Sequence, residues 1–295
     1  MTIKHIVISG GGPTGFLSYG VISYLEKKGF WNLTDIKSIY GCSIGAFIGF
    51  VISLGYDWEW IDDYIIKRPW NKLIDESKVK LIDIYDKKCI INDHFITESI
   101  IPLLKGKGLK EDINMLEFYE HTNIDLHMYT TNINTISLLK VDISHKTHPD
   151  LSLIKALKMT TSFPFVFEPI VDGNDCFIDG GLLNNFPLND CIEQQECNND
   201  EILALKNIWK NNNTIITDSS SILDYLFCLI KKTQNFIDTE KNQQKVKYTV
   251  YSLTDDLTSF DKWSQTSANE DMRRDIIQKG RDQANVFLSN IGYLS

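Results

Sequence analysis

The stretch Ile36-Lys37-Ser38-Ile39-Tyr40-Gly41-Cys42-Ser43-Ile44-Gly45-Ala46 decides the fold. Ile36 to Tyr40 reads as a short apolar strand that Gly41 ends, and an apolar helix follows through Ala46 to Leu54. The same grammar occurs once upstream. Ile6-Val7-Ile8 is a strand that ends in Gly10-Gly11-Gly12; between Phe16 and Lys28, Leu17, Val21, Ile22 and Leu25 recur at helical spacing until Gly29 closes the helix. Two consecutive strand–glycine turn–helix units predict a parallel sheet with helices packed on it.

Working outward, residues 57–122 are charged and helix-like, with Trp58, Trp60 and Trp70 near their start. Leu126 to Asn132 and Ser137 to Ile143 read as strands, and Asp150 opens a helix through Leu157 that a proline-containing run ends at Pro164. Cys176-Phe177-Ile178 is a further short strand, stopped by Asp179-Gly180-Gly181. Asn211-Asn212-Asn213 and Ser219-Ser220-Ser221 bracket a surface loop, and Ala268 to Leu288 carries a helical pattern. No repeat or strong linker divides the 295 residues. One domain is therefore expected over 1–295, with the motifs inside about 6–188 and a helical, variable part at 189–295 packed on it.

The net charge of −9 argues against nucleic acid as a partner and against long-range attraction to anionic membranes. The six cysteines form neither a CxxC pair nor a Cys/His cluster at zinc spacing, so they read as reduced thiols of a cytoplasmic protein. Met1-Thr2-Ile3-Lys4-His5 runs straight into a strand, which leaves no room for a signal peptide, and residue 2 is not the glycine of a myristoylation site. No apolar run reaches the roughly 20 residues that span a bilayer, although peripheral contact with a membrane surface stays open.

Gly41-Cys42-Ser43-Ile44-Gly45 is a GxSxG element set between strand and helix. A tight turn there exposes the serine, the glycines let the chain pass closely, and the following helix aims its positive end at the site. The competing reading is a chance match of a short motif. A serine needs a base. The six histidines all precede residue 149, so the order serine–acid–histidine along the chain finds no convincing candidate; His145 and His148, flanking a Lys-Thr loop, read as solvated. Asp179 ends an apolar strand beside two glycines, where a desolvated carboxylate is a stronger base; the alternative is a plain Asp-Gly turn. Gly10, Gly12 and Gly15 also satisfy GxGxxG, but no acid ends the second strand as a dinucleotide site requires. The other use of such a loop is an oxyanion hole; Pro13 has no N–H, so Gly11 and Gly12 would donate.

Together these residues resemble the patatin-like phospholipase family. The matches are Gly10-Gly11-Gly12-Pro13-Thr14-Gly15, Gly41-Cys42-Ser43-Ile44-Gly45 and Asp179-Gly180-Gly181, joined by Thr161 to Pro169 and by Leu182-Leu183-Asn184-Asn185-Phe186-Pro187. The resemblance implies a three-layer α/β/α sandwich with a mostly parallel central sheet. It also implies a Ser43–Asp179 dyad without histidine and an oxyanion hole in the loop of Gly10, Gly11, Gly12 and Gly15. Gly41, Gly45, Gly180 and Gly181 serve as motif glycines, and the chemistry needs neither metal nor cofactor. The implied substrates are phospholipids or other acyl lipids. Thr14 departs from the pattern, since the family often carries Arg or Lys there. Two other readings share these residues: an esterase or thioesterase for small acyl substrates, and a catalytically idle lipid-binding scaffold. Ser219 to Ile237, with Ile222, Leu223, Tyr225, Leu226, Phe227, Leu229 and Ile230 before Lys231-Lys232, reads as a buried helix or as an interfacial lid.

Overall fold

The computed structural model describes residues 2–73, 87–91, 94–209, 215–241, 244–254 and 260–293. Six strands of one sheet come from the first two thirds of the chain, five of them forming its body. Those five are β1 (His5–Ile8), β2 (Ser38–Cys42), β4 (Asp125–Asn132), β5 (Leu139–Ile143) and β8 (Asp175–Asp179). A short β7 (Ile170–Asp172) flanks β8, while β3 (Cys89–Ile91) and β6 (Phe165–Phe167) pair with each other in a separate ribbon. The last third adds β9 (Ile202–Trp209) and β10 (Tyr248–Thr254). The sheet order is β10-β9-β1-β2-β4-β8-β7, with β5 also on β4. Pairing is parallel from β10 through β4 and antiparallel where β4 meets β5 and β8.

The central strands β1, β2 and β4 are buried on both faces, and the side chains divide with period two. Ile6, Ile8, Ile39, Leu126, Met128, Leu203 and Leu205 enter the larger core, whereas Val7, Tyr40, Cys42, Tyr129 and Ala204 enter a smaller core opposite. The larger core is covered by α1 (Gly15–Lys27), α2 (Ile44–Ser53), α3 (Trp58–Lys67), α4 (His94–Gly106), α5 (Met115–Thr122), α6 (Leu153–Thr161) and α11 (Glu270–Asn290). The smaller one is closed through Phe186, Leu188 and Cys191, where the short α7 (Gly181–Asn184) leads into α8 (Leu188–Gln195). The result is an α/β/α sandwich. Each fully buried Ile or Leu in it contributes roughly 1.5–3 kcal/mol relative to exposure. Two further helices, α9 (Ile222–Lys241) and α10 (Phe260–Ala268), lie over the carboxyl ends of β1 and β2, with α9 packed on α7.

The C-terminal part is thus more than helical, since β9 and β10 complete one wing of the sheet. Asn211-Asn212-Asn213 lies outside the described residues. Among the described residues no helix is long and apolar enough to cross a membrane. Among the described residues no disulfide joins the cysteines; five of them are buried and Cys197 is partly exposed.

Candidate active site

Strand β2 runs two residues further than its apolar run suggested, to Cys42, and α2 opens at Ile44. Ser43 alone makes the turn. Its backbone sits at φ 53° and ψ −126°, a region that costs a non-glycine residue about 1–3 kcal/mol. The surroundings enforce it. A Cβ on Gly41 would come within 2.5 Å of the Ala46 nitrogen, and one on Gly45 within 2.3 Å of the Ile8 carbonyl oxygen. Both glycines of the motif are therefore there for close backbone passage. Ser43 N–H donates to Thr160 Oγ1 at 3.0 Å, and that hydroxyl donates to the Tyr129 carbonyl at 2.6 Å, tying the elbow to β4.

The register of β4 brings the acid to the serine. β5 occupies one edge of β4 at residues 128–132, so β2, paired at 125–129, and β8, paired at 130–132, must share the other edge. They run head to head along it: Cys42 pairs with Tyr129 and Asp179 with Thr130. Gly180 turns the chain away against the Tyr129 carbonyl, where a Cβ would lie at 2.1 Å. Asp179 is 2% exposed. Its Oδ1 accepts the Gly181 N–H at 2.7 Å and the Cys42 thiol at 3.6 Å, while Oδ2 makes no hydrogen bond of ordinary geometry. Burial pushes the carboxyl up to about 6; the Ser43 hydroxyl, then Gly181 and Cys42, pull against that rise.

The glycine loop leaves β1 beside the elbow. Gly10 N–H is taken by the Asn185 carbonyl at 3.0 Å, and Gly15 N–H turns back onto Gly12 and Pro13 as α1 begins. Of the four glycines, these two are unable to donate to a ligand. Gly11 and Gly12 N–H make no hydrogen bond among the described residues. Gly12 has φ +56°, and a Cβ there would meet the Trp263 indole at 2.1 Å. Thr14 is buried and donates to the Gly11 carbonyl at 2.9 Å, bracing the loop from inside. Asn207 on β9 braces it from the other side: its N–H donates to Ser9 Oγ and its amide to the Gly10 carbonyl at 3.1 Å.

Two cavities meet at this point, sharing Gly12, Ser43, Phe163 and Trp263. One encloses about 170 Å³ between almost wholly apolar walls that include Phe16, Phe47, Ile65, Phe95 and Phe167. The other is a smaller polar chamber walled by Asp179, Asn185, Lys231, Gln234 and Asn235. No histidine lines either cavity. His145 is not solvated as its loop suggested: its ring stacks on Tyr119 at 3.7 Å and its Nδ1 lies 2.9 Å from Asp125. Burial against an aromatic face and a carboxylate outweighs its place in a polar loop.

Thr160, Asn207, Trp263 and Lys231 are residues of the site that sequence reasoning passed over. Thr160 abuts the matched Thr161 block, which is the one signal it gave; the other three reach the site only through tertiary packing of β9, α10 and α9. The helix α9 is neither wholly buried nor a free lid. Phe227 packs on Phe163 and Trp263, with ring centroids 5.3 and 5.8 Å away, while Ile222, Tyr225, Leu229 and Phe236 are exposed.

A serine on a strained strand-to-helix elbow, at the carboxyl end of a largely parallel sheet, defines the class of the fold: an α/β sandwich of the nucleophile-elbow kind. The patatin-like phospholipase profile matches residues 6–192. The chain belongs to the patatin-like phospholipase family. A probable lipid hydrolase of Invertebrate iridescent virus 6 is 28% identical over 211 residues, covering 70% of this chain and 70% of that protein. An uncharacterized Bacillus subtilis protein, YqhO, is 29% identical over 197 residues, 62% of this chain and 64% of its own length. The crystal structure of VipD from Legionella pneumophila shares the fold, with a TM-score of 0.63 at 17% identity over 98% of this chain and 67% of that one.

Proposed function

We propose that the protein is a lipid acyl hydrolase of the phospholipase A type, with Ser43 as nucleophile and Asp179 as its base. The observation that carries this reading is the meeting of the Ser43 elbow, the buried Asp179 carboxylate and the apolar cavity at one point. A base with a pKa near 6 is largely ionised at neutral pH yet still accepts a proton readily. In the proposed cycle Ser43 Oγ attacks the ester carbonyl while Asp179 takes its proton. Gly11 and Gly12 N–H, with the positive end of α2, hold the oxyanion. The alcohol leaves with that proton, and Asp179 then draws a proton from the water that hydrolyses the acyl-enzyme. The chain's own groups perform every step.

The apolar cavity favours a long acyl chain over the small-substrate esterase or thioesterase reading. The strain at Ser43 speaks against an idle scaffold, because a purely structural role gives no reason to keep it. The exposed stripe of Ile222, Tyr225, Leu229 and Phe236 supports peripheral contact with a lipid surface, and the net charge of −9 is against a nucleic-acid partner. A fluorophosphonate probe tests the dyad together with product profiling on a mixed phospholipid extract. Labelling is expected to vanish in Ser43→Ala. Acyl release is expected to fall about 1,000-fold or more in Ser43→Ala and in Asp179→Asn, with folding intact. Near-normal turnover by either variant refutes the dyad.

A further inference from the structure

The walls of the apolar cavity come from elements far apart in the chain. Ile65 belongs to α3 and Trp70 follows that helix, whereas Trp263, Thr266 and Ser267 belong to α10. Arg273 of α11 joins the two and is only 2% exposed. Its Nε donates to the Ile66 carbonyl at 3.0 Å, and its Nη2 to the carbonyls of Ile66 and Arg68. Its Nη1 donates to the Thr266 and Ser267 carbonyls at 2.9 and 2.7 Å. A guanidinium carries five N–H donors in a rigid fork, and here every one is used.

None of the acceptors is a carboxylate; all are main-chain carbonyls at helix ends. Ile66 and Arg68 lie at the C-terminus of α3, and Thr266 and Ser267 at that of α10, where carbonyls lack intrahelical partners and the dipole is negative. Arg273 itself stands near the start of α11, the positive end, so its own helix disfavours the charge. We infer that Arg273 is a positioning residue for acyl-chain binding, holding the α3 and α10 walls of the apolar cavity together. The inference rests on the acyl-hydrolase reading and adds to it a residue that governs how well a long chain is held. Both walls carry the tie inward. On one side, the Arg68 guanidinium lies 5.0 Å from the Tyr64 ring centre and 5.3 Å from that of Trp70, which lines the cavity. On the other, α10 sets the Trp263 indole against Gly12. Without the fork, the carbonyls of the seam would draw in water, and water there wets the surface that an acyl chain must cover. The loop beside Ser43 is braced separately by Thr14 and Asn207, so the reacting end of a short ester is spared. Arg273 lies beyond the residues 6–192 that the family profile matches, and no motif points to it.

The test follows 4-nitrophenyl butyrate and 4-nitrophenyl dodecanoate in one neutral detergent, with wild type, Arg273→Met and Arg273→Lys. Rates are divided by the concentration of sites that a fluorophosphonate titrates, so unfolded protein does not count. In Arg273→Met the KM for the dodecanoyl ester is expected to rise about tenfold with kcat nearly unchanged, the mark of lost binding rather than lost chemistry. Both constants for the butyryl ester are expected to stay near those of wild type. Arg273→Lys keeps the charge but gathers its donors on one nitrogen, which serves one helix end and not both, so most of the same rise is expected. An unchanged dodecanoyl KM in Arg273→Met overturns the inference, and so does an equal change on the two esters. If Arg273→Met yields no titratable sites, Arg273→Lys decides by the same criteria. Absence of titratable sites in both variants assigns Arg273 to stability alone and also overturns it. Failure of wild type to be labelled or to turn over either ester overturns the hydrolase reading, and this inference with it.

Discussion

At the scale of single residues, the proposed chemistry depends on a carboxylate held where ionisation is unfavourable. Asp179 has its carboxyl pushed up to about 6 by burial, so the form able to take a proton dominates only above that pH. The pH profile of kcat/KM is therefore expected to show an acid limb with a midpoint near 6, read with a soluble ester. A limb near 4 would mean that the base is solvated. The same shift has a stability consequence of definite sign. An acid whose folded pKa lies above its ordinary 3.8 binds its proton more tightly in the fold, so ionisation weakens the fold as pH rises from about 4 through 6. At pH 8 the difference of about two pKa units corresponds to roughly 3 kcal/mol at most. Asp179→Asn keeps an acceptor for the Gly181 N–H and removes that charge. It is expected to melt at a higher temperature than wild type at pH 8, and a lower melting point counts against the desolvated carboxylate.

At the scale of elements, α9 carries two different faces. One packs on the aromatic cluster and the polar chamber; the other presents Ile222, Tyr225, Leu229 and Phe236 to solvent at spacings of three, four and seven residues. On the proposed reading, such a stripe on the helix that roofs the site would meet the lipid from which substrate is drawn. Leu229→Glu with Phe236→Glu is expected to reduce co-sedimentation with neutral phosphatidylcholine vesicles. Vesicle hydrolysis should fall about tenfold relative to hydrolysis of a monomeric ester. Equal loss on both substrates would indicate damage to the site rather than to docking.

For the molecule as a whole, a second polar cluster lies towards the other end of β4 from Asp179. His127 stacks on Tyr40 at 4.1 Å, with Asp125 at 3.2 Å from Nε2 and Asp142 at 3.0 Å from Nδ1. Burial alone would lower its pKa, but the two carboxylates raise it to about 9. This contribution to stability is complete below the ordinary value of about 6.5 and disappears as pH rises through 9. The thermal midpoint of wild type is expected to fall between pH 7 and 10, more steeply than that of His127→Gln. That variant should also be less stable at pH 7, where it removes the imidazolium between buried Asp125, which keeps Lys146 and His145, and half-buried Asp142. Parallel slopes in the two proteins would remove His127 as the cause.

The core of this architecture was legible in the sequence because it is written in local rules. The two glycine-punctuated strand–helix units, the elbow serine and the strand-end aspartate all fall where their motifs place them. What was not legible depends on distant partners. In β9 the run Ile202-Leu203-Ala204-Leu205 lacks alternation, and Leu and Ala favour helix in isolation; pairing with β1 and β10 makes it a strand. In β10, Tyr248, Val250 and Ser252 are buried while Tyr251 and Leu253 are exposed, so the apolar residues do not mark the inward face and the strand is set by its pairing with β9. Nor does the sequence show that the N–H groups of Gly10 and Gly15 are taken, by the Asn185 carbonyl and by the start of α1.

The head-to-head meeting of β2 and β8 on one edge of β4 has an evolutionary corollary. The gap between hydroxyl and carboxylate is gauged by two consecutive residues of β4, Tyr129 and Thr130, and not by the rest of the long excursion of chain between residues 43 and 179 apart from Thr160 and Ser162, which hold the Ser43 and Asp179 N–H groups. Helices and loops in that excursion are free to lengthen, shrink or diverge, retuning what is accepted at the mouth. A single residue inserted into β4 at this spot would pull the proposed nucleophile and base out of step.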